Sequence, residues 1–80
     1  MADHQTFQLA TRALFGEVTA QDEFKTTIKV DQVLRGDQGE AGTSVEFSHG
    51  LWLPPLGFRG YFFIIDGEQA GLIRAVESER

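Results

Sequence analysis

Two adjacent prolines inside an apolar run place the strongest constraint on how this chain can fold. The run is Leu51-Trp52-Leu53-Pro54-Pro55-Leu56-Gly57-Phe58, and it contains the only tryptophan and both prolines of the 80 residues. Proline has no backbone N–H to donate to a sheet ladder, so Pro54 and Pro55 exclude a central strand here and predict a loop. A loop of this composition either covers a core or offers apolar side chains to a partner.

The segment before the loop shows the two-residue period of a β-strand. Alternate positions are apolar or β-branched and are expected to share one buried face, namely Phe24, Thr26, Ile28 and Val30. The apolar phase shifts at Val33, which predicts a bulge near Asp31 or Gln32. The sequence therefore predicts one long, bent strand.

Four further segments have the character of strands. They are an alternating segment around Leu14–Val18, a half-exposed segment around Val45–Phe47, a continuously apolar segment at Tyr61–Ile65, and a last segment from about Ala70 to Val76. The continuous segment suits a strand that is covered on both faces, or one covered face and a lid. Polar turns are predicted at Gln21–Glu23 and Asp66–Gly67, and the three glycines within residues 36–42 predict a loop.

Five short strands without helical periodicity predict an all-β fold. A closed or partly open five-stranded barrel of oligonucleotide/oligosaccharide-binding (OB) type fits 80 residues better than a sandwich, which needs about seven strands. An SH3-like barrel is the alternative. The barrel domain is expected over residues 13–77, after a flexible or partly ordered lead-in over residues 1–12 and before a tail over residues 78–80.

Charge and composition restrict the classes of partner and the compartment that the sequence favours. Seven basic residues against twelve acidic ones give a net charge of −5, with no basic cluster, which disfavours nucleic acid. No apolar run approaches the roughly 20 residues of a membrane span, and Met1–Gln5 lacks the features of a signal peptide. The chain as written suits the cytoplasm, and a mature exported domain with its signal removed is the alternative.

Four short motifs resemble a known family. They are Leu14-Phe15-Gly16-Glu17-Val18, the stretch from Ile28 to Gly36, Val45-Glu46-Phe47, and Gly60-Tyr61-Phe62-Phe63-Ile64. Together they resemble the OB-fold domains related to tissue inhibitors of metalloproteinases and netrin modules, which include small uncharacterised bacterial proteins. The inhibitors of that family chelate zinc through a disulfide-anchored N-terminal cysteine. This chain has no cysteine, so the resemblance implies the fold and transfers no functional residue.

No constellation for catalysis, a metal or a cofactor emerges. Neighbours on an extended strand point to opposite faces, so Ser48 and His49 are not expected to form a dyad, and His49 is expected to be a surface residue. His4 and His49 match no metal-ligand spacing. Asp66-Gly67-Glu68 is interpreted as a turn, and the tripeptide Arg35-Gly36-Asp37 as a chance match to an adhesion motif. The chain is therefore predicted not to be an enzyme.

The apolar loop remains the best candidate site. It is predicted either to close one end of the barrel or to contact another protein or a second copy of the chain through Leu51, Trp52, Leu53, Leu56 and Phe58. The alternative function is binding of single-stranded nucleic acid or oligosaccharide on the barrel face. That function would need exposed aromatic side chains from the set Phe24, Phe47, Tyr61 and Phe62, for which a core position is the favoured interpretation.

Overall fold

Five strands form a closed barrel. The computed structural model describes residues 10–50 and 54–78. Its strands are β1 (Arg12–Gln21), β2 (Lys25–Arg35), β3 (Ser44–Ser48), β4 (Arg59–Ile65) and β5 (Gly71–Glu77), and a 3-10 turn covers Gln38–Glu40. Around the barrel the order is β1-β2-β3-β5-β4, and β4 pairs with β1 to close it. The prediction of a five-stranded all-β barrel is confirmed.

The bend in β2 is a bulge at Asp31. Phe15 lies opposite Gln32 and Gly16 lies opposite Val30, so Asp31 has no partner on β1. A bulge increases the local twist and lets one long strand pair along its length while it curves around a barrel. The bulge that the phase shift predicted is therefore confirmed.

Two glycines let the strands approach closely. Gly16 on β1 and Gly60 on β4 are register partners. A Cβ at position 16 would overlap the carbonyl oxygen of Lys29, and one at position 60 would overlap that of Val76. These positions therefore need a residue without a side chain, because the neighbouring backbone occupies the space.

The core is made by alternate residues of β1 to β4. Its buried apolar side chains are Leu14, Val18, Ile28, Val30, Val33, Phe47, Phe62 and Ile64. The rings of Phe47 and Phe62 lie 5.8 Å apart between their centroids. Half-buried residues of β5 pack against this cluster, so the last strand covers one side of the core.

The residues directly before β1 already contact the barrel. Ala10 is already buried, and the Thr11 N–H donates to the Ile64 carbonyl at 2.8 Å. Thus the chain contacts the barrel two residues before β1 begins at Arg12. The three residues 10–12 fall within the segment that the sequence analysis assigned to the lead-in.

The prediction that Phe24 is buried was wrong, and of the two arrangements predicted for β4 the one with both faces covered was wrong. Phe24 does not share the buried face of Thr26, because it lies before the first residue of β2, where the backbone is still turning. Strand β4 is buried on one face only: Phe62 and Ile64 point into the core, whereas Tyr61 and Ile65 are exposed. Its continuous apolar sequence thus leaves large side chains on the surface.

Candidate interaction surface

The described half of the apolar loop is fixed to β1. Pro54 is fully buried, and the side-chain amide of Gln21 donates a hydrogen bond to its carbonyl. The Gly57 N–H donates to the Val18 carbonyl at 3.0 Å, and the Val18 N–H donates to the Phe58 carbonyl at 2.8 Å. These bonds extend the sheet pattern into the loop and hold its backbone in place.

The predicted contact residues of this loop have different surroundings. Leu56 is 64% exposed. Phe58 is half-buried and packs edge-on against Phe62, with ring centroids 5.6 Å apart. Leu51, Trp52 and Leu53 lie outside the described residues. Of the two that the structure describes, Leu56 is therefore available to a partner and Phe58 supports the core.

The turn between β1 and β2 is a second feature of the same region. We call Asp22, Glu23 and Phe24 the hairpin tip. The Asp22 carboxylate accepts hydrogen bonds from the N–H groups of Phe24 and Lys25, both at 2.8 Å. These two bonds lower the pKa of Asp22, because they stabilise its charged form. The tip is thus closed by a charged aspartate.

His49 supports the hairpin tip from beneath. It is only 6% exposed, so the prediction of a surface histidine was wrong. Its Nε2 lies 3.1 Å from the Glu23 carbonyl, and its Nδ1 lies 2.9 Å from the hydroxyl of Thr26. A carbonyl only accepts, so in the neutral ring Nε2 carries the proton and Nδ1 accepts from Thr26. His49 follows β3, so this contact joins β3 to the tip.

Phe24 and Leu56 are the two most exposed large apolar side chains of the described residues, at 71% and 64%. Both lie at one end of the barrel, because β1 ends at Gln21, directly before the tip, and Gln21 bonds the loop at Pro54. We call this the apolar end. Phe24 was not predicted to belong to this surface, because its spacing in the sequence matches the buried face of β2.

A charged groove lies beside the loop. Its volume is about 580 Å³, and it is lined by Glu17, Gly57, Arg59, Glu77 and Ser78. The Arg59 guanidinium lies 2.6 Å from Asp31 and 3.8 Å from Glu17, and its centre is 4.9 Å above the Phe15 ring. Arg59, the only cation among the described residues that line this groove, is therefore already paired with carboxylates.

The outer face of β2 and β3 is hydrophilic. At the paired outward positions it carries Lys25, Thr27, Lys29, Ser44, Glu46 and Ser48. Lys25 also lies 3.9 Å from Glu46. No aromatic side chain stands at these described positions, so this face lacks the stacking surfaces on which single-stranded nucleic acid is bound.

Arg12 organises the other end of the barrel. Its guanidinium donates to both oxygens of Asp66, at 3.0 and 3.1 Å, and to Glu40 at 2.9 Å. The Thr11 hydroxyl donates to Asp66 at 2.6 Å. The hydrogen bond from Thr11, followed by that from Arg12, lowers the pKa of Asp66. This cluster joins β1 to two loops and has a structural role.

The residues of the tripeptide 35–37 also have structural roles. Arg35 donates to the Ala10 carbonyl at 3.0 Å, Gly36 has a φ of 119°, and the Asp37 carboxylate accepts from the Gly39 N–H at 2.8 Å.

Across residues 10–50 and 54–78, no three His, Cys, Asp or Glu side chains are grouped as metal ligands. No helix within these residues is long and apolar enough to cross a membrane.

Comparison with protein-family models, with curated proteins and with solved structures yields no match to this chain. The fold defines the chain as a small five-stranded β-barrel. The resemblance to inhibitor-like and netrin-like modules stays a prediction.

Proposed function

We propose that this chain is a non-enzymatic protein-binding module that contacts its partner through the apolar end. One observation carries the proposal: Leu56 is 64% exposed on a loop whose backbone is hydrogen-bonded to β1. An apolar side chain on a fixed backbone loses little conformational freedom on binding, so more of its burial contributes to affinity. Trp52 and its neighbours Leu51 and Leu53 belong to the same apolar run and are included in the proposed surface.

The proposed module has OB-fold topology. Strand order β1-β2-β3-β5-β4, with antiparallel pairing except between β3 and β5, supports this assignment. OB folds carry varied binding functions, so the topology favours a binding role and leaves the ligand class to the surface. If the chain is related to inhibitor-like or netrin-like modules, it shares their fold and not the inhibitory mechanism, because the cysteine of that mechanism is absent from the chain.

Binding of oligosaccharide or single-stranded nucleic acid is the second candidate. It is supported by exposed Tyr61, whose ring lies 4.9 Å from that of Phe15 between their centroids, next to the charged groove. Aromatic rings beside hydrogen-bonding groups suit a sugar ring or a base. The pairing of Arg59 with Asp31 and Glu17 weakens the case for phosphate, because a cation already neutralised attracts a phosphate poorly.

The leading proposal is tested by a retention experiment with the immobilised chain. Proteins retained from a lysate of the source cells are compared for the wild type, Trp52→Ala and Leu56→Ser, with Leu34→Ser as the control. Leu34 is 50% exposed near the other end of β2. We expect a protein that the wild type and the control retain and that both loop variants lose, while all four proteins keep the same circular dichroism.

Two results would contradict the proposal. One is that no retained protein depends on the loop. The other is that Trp52→Ala unfolds the chain, which would mean that the loop closes the barrel. A labelled single-stranded DNA that binds with micromolar affinity at low salt, and not at high salt, would support the alternative.

A further inference from the structure

We propose that Phe24 is the anchor of the interface and that it enters an apolar pocket with a basic rim on a protein partner. This inference rests on the proposed function and adds a residue and a pocket chemistry to it. Phe24 is 71% exposed, more than any other large apolar side chain of the described residues. Aromatic side chains that project from a surface and fill a pocket are typical interface anchors.

The backbone of the hairpin tip is held rigidly around this side chain. The Asp22 carboxylate binds the Phe24 N–H, and the His49 N–H donates to the Phe24 carbonyl at 3.2 Å. The Asp22 N–H donates to the Lys25 carbonyl at 2.9 Å, and His49 Nε2 binds the Glu23 carbonyl. Polar groups on both sides of Phe24 are therefore satisfied within the chain, and the ring projects from a fixed support.

This support makes exposure of the ring a property of the fold. A phenylalanine on a mobile turn could fold back onto the nearest apolar surface and lose its exposure. Here His49 and Thr26 occupy the buried position beneath the tip, and both are committed to hydrogen bonds. Asp22 and His49 thus act as positioning residues for Phe24.

The charge at the tip indicates the pocket rim. Asp22 and Glu23 directly precede Phe24 and are exposed, so two acidic side chains stand beside the ring. The next residue, Lys25, faces Glu46 on β3. A pocket rimmed by Lys or Arg complements this acidic tip, whereas an anionic membrane, nucleic acid or a second copy of this acidic chain would be repelled.

Site-specific photocrosslinking in the full-length chain tests the inference. A benzophenone side chain is placed at position 24, or at position 34 as the control, and the source cells are irradiated. A protein that crosslinks from position 24 alone is then purified, and its dissociation constant is measured against the wild type, Phe24→Ala and Leu34→Ala. We expect about a tenfold or greater weakening for Phe24→Ala and less than about twofold for Leu34→Ala.

Three further variants examine the rim and the support. Glu23→Gln should weaken binding by about two- to fivefold at low salt, and this difference should shrink at high salt if the rim is basic. Asp22→Ala should weaken binding, and Asp22→Asn should restore part of the affinity, because its amide oxygen still accepts the two backbone N–H groups. A salt-independent affinity for the partner would contradict the basic rim.

Several outcomes would overturn the anchor. In the crosslinking experiment, they are a crosslink to a second copy of the chain and equal crosslinking from positions 24 and 34. In the binding measurements, they are an affinity of Phe24→Ala equal to that of the wild type and Phe24-dependent binding to neutral phosphatidylcholine vesicles. If Leu56→Ser abolishes binding while Phe24→Ala does not, the proposed function stands and the anchor fails. If neither variant affects binding to any protein, the proposed function fails as well.

Discussion

The hydroxyl of Thr26 donates a hydrogen bond to Nδ1 of His49 across 2.9 Å, and both side chains are buried. Thr26 lies on the inner face of β2 and His49 follows β3, so the bond joins two strands below the hairpin tip. The second ring nitrogen of His49 then reaches the Glu23 carbonyl. One buried polar pair therefore links the core of the barrel to the turn that carries Phe24.

Removal of the Thr26 hydroxyl should destabilise the fold. In Thr26→Val the buried Nδ1 of His49 loses its donor, so we expect the free energy of unfolding to fall by about 1–3 kcal/mol. Urea denaturation followed by circular dichroism measures this change. Thr19→Val is the control, because its hydroxyl is exposed and makes only a 3.4 Å contact. An equal loss in both variants would show that the pair with His49 contributes nothing.

Gly16→Ala should destabilise the barrel, because its new methyl group would overlap the Lys29 carbonyl. Overpacking of this kind costs about 1–3 kcal/mol or more. Gly67→Ala is the matched control, since no atom of the described residues other than its chain neighbours lies within 4 Å of the position of its Cβ. Thermal unfolding should show a lower midpoint for Gly16→Ala alone. Equal midpoints would mean that β1 and β2 separate at little cost.

The two described contact residues of the loop should respond differently to truncation. Phe58→Ala removes a ring that packs on Phe62, so we expect a loss of at least about 2 kcal/mol in the free energy of unfolding. Leu56→Ala removes an exposed side chain and should change stability by no more than about 0.5 kcal/mol. Denaturant titration of both variants tests the difference. A large loss for Leu56→Ala would assign Leu56 to the fold and remove it from the candidate surface.

Acid should weaken the fold through Asp66. Its pKa is lowered in the folded chain by the hydrogen bonds from Thr11 and Arg12. A carboxyl with a lowered folded pKa binds more protons in the unfolded state, so its contribution to stability is present above the unfolded pKa and is lost as pH falls through the folded one. Asp22, whose pKa is also lowered, acts with the same sign.

The variant Asp66→Asn isolates this contribution. We expect it to be less stable than the wild type at neutral pH and to approach the wild type only as the pH falls through the lowered pKa of Asp66, where the carboxylate of the folded wild type becomes protonated. Thermal midpoints measured between about pH 7 and pH 2 provide the comparison. Two curves that stay parallel over this range would show that the ionisation of Asp66 does not contribute.

Periodicity predicted the inner faces well where the residues lie within strands. Thr26, Ile28 and Val30 are buried as their spacing predicted, and the phase shift at Val33 predicted a bulge near Asp31 or Gln32, which the structure has at Asp31. Phe24 followed the same spacing and is exposed, since a two-residue period holds only once the backbone is extended. A turn residue can extend an alternating pattern without sharing its burial.

The candidate site was predicted only in part. Composition identified the loop that carries Leu56, because adjacent prolines in an apolar run are a local signal. The burial of His49 had no such signal, because its partners Thr26 and Glu23 are 23 and 26 positions away in the sequence. Nor did the sequence show that Arg59 is neutralised by Asp31, which depends on the pairing of β1 with both β2 and β4.

The sequence by itself determined an all-β barrel with a proline-containing apolar loop, because alternation, glycines and prolines restrict the backbone locally. Only the tertiary structure decided which apolar side chains remain outside. Closure of the barrel brings the end of β1 to Pro54 and the end of β3 beneath the hairpin tip. Phe24 and Leu56 remain exposed at one end of the barrel. Their exposure could not be predicted locally, because the burial of a side chain depends on residues that are distant in the sequence and become its neighbours only in the folded chain.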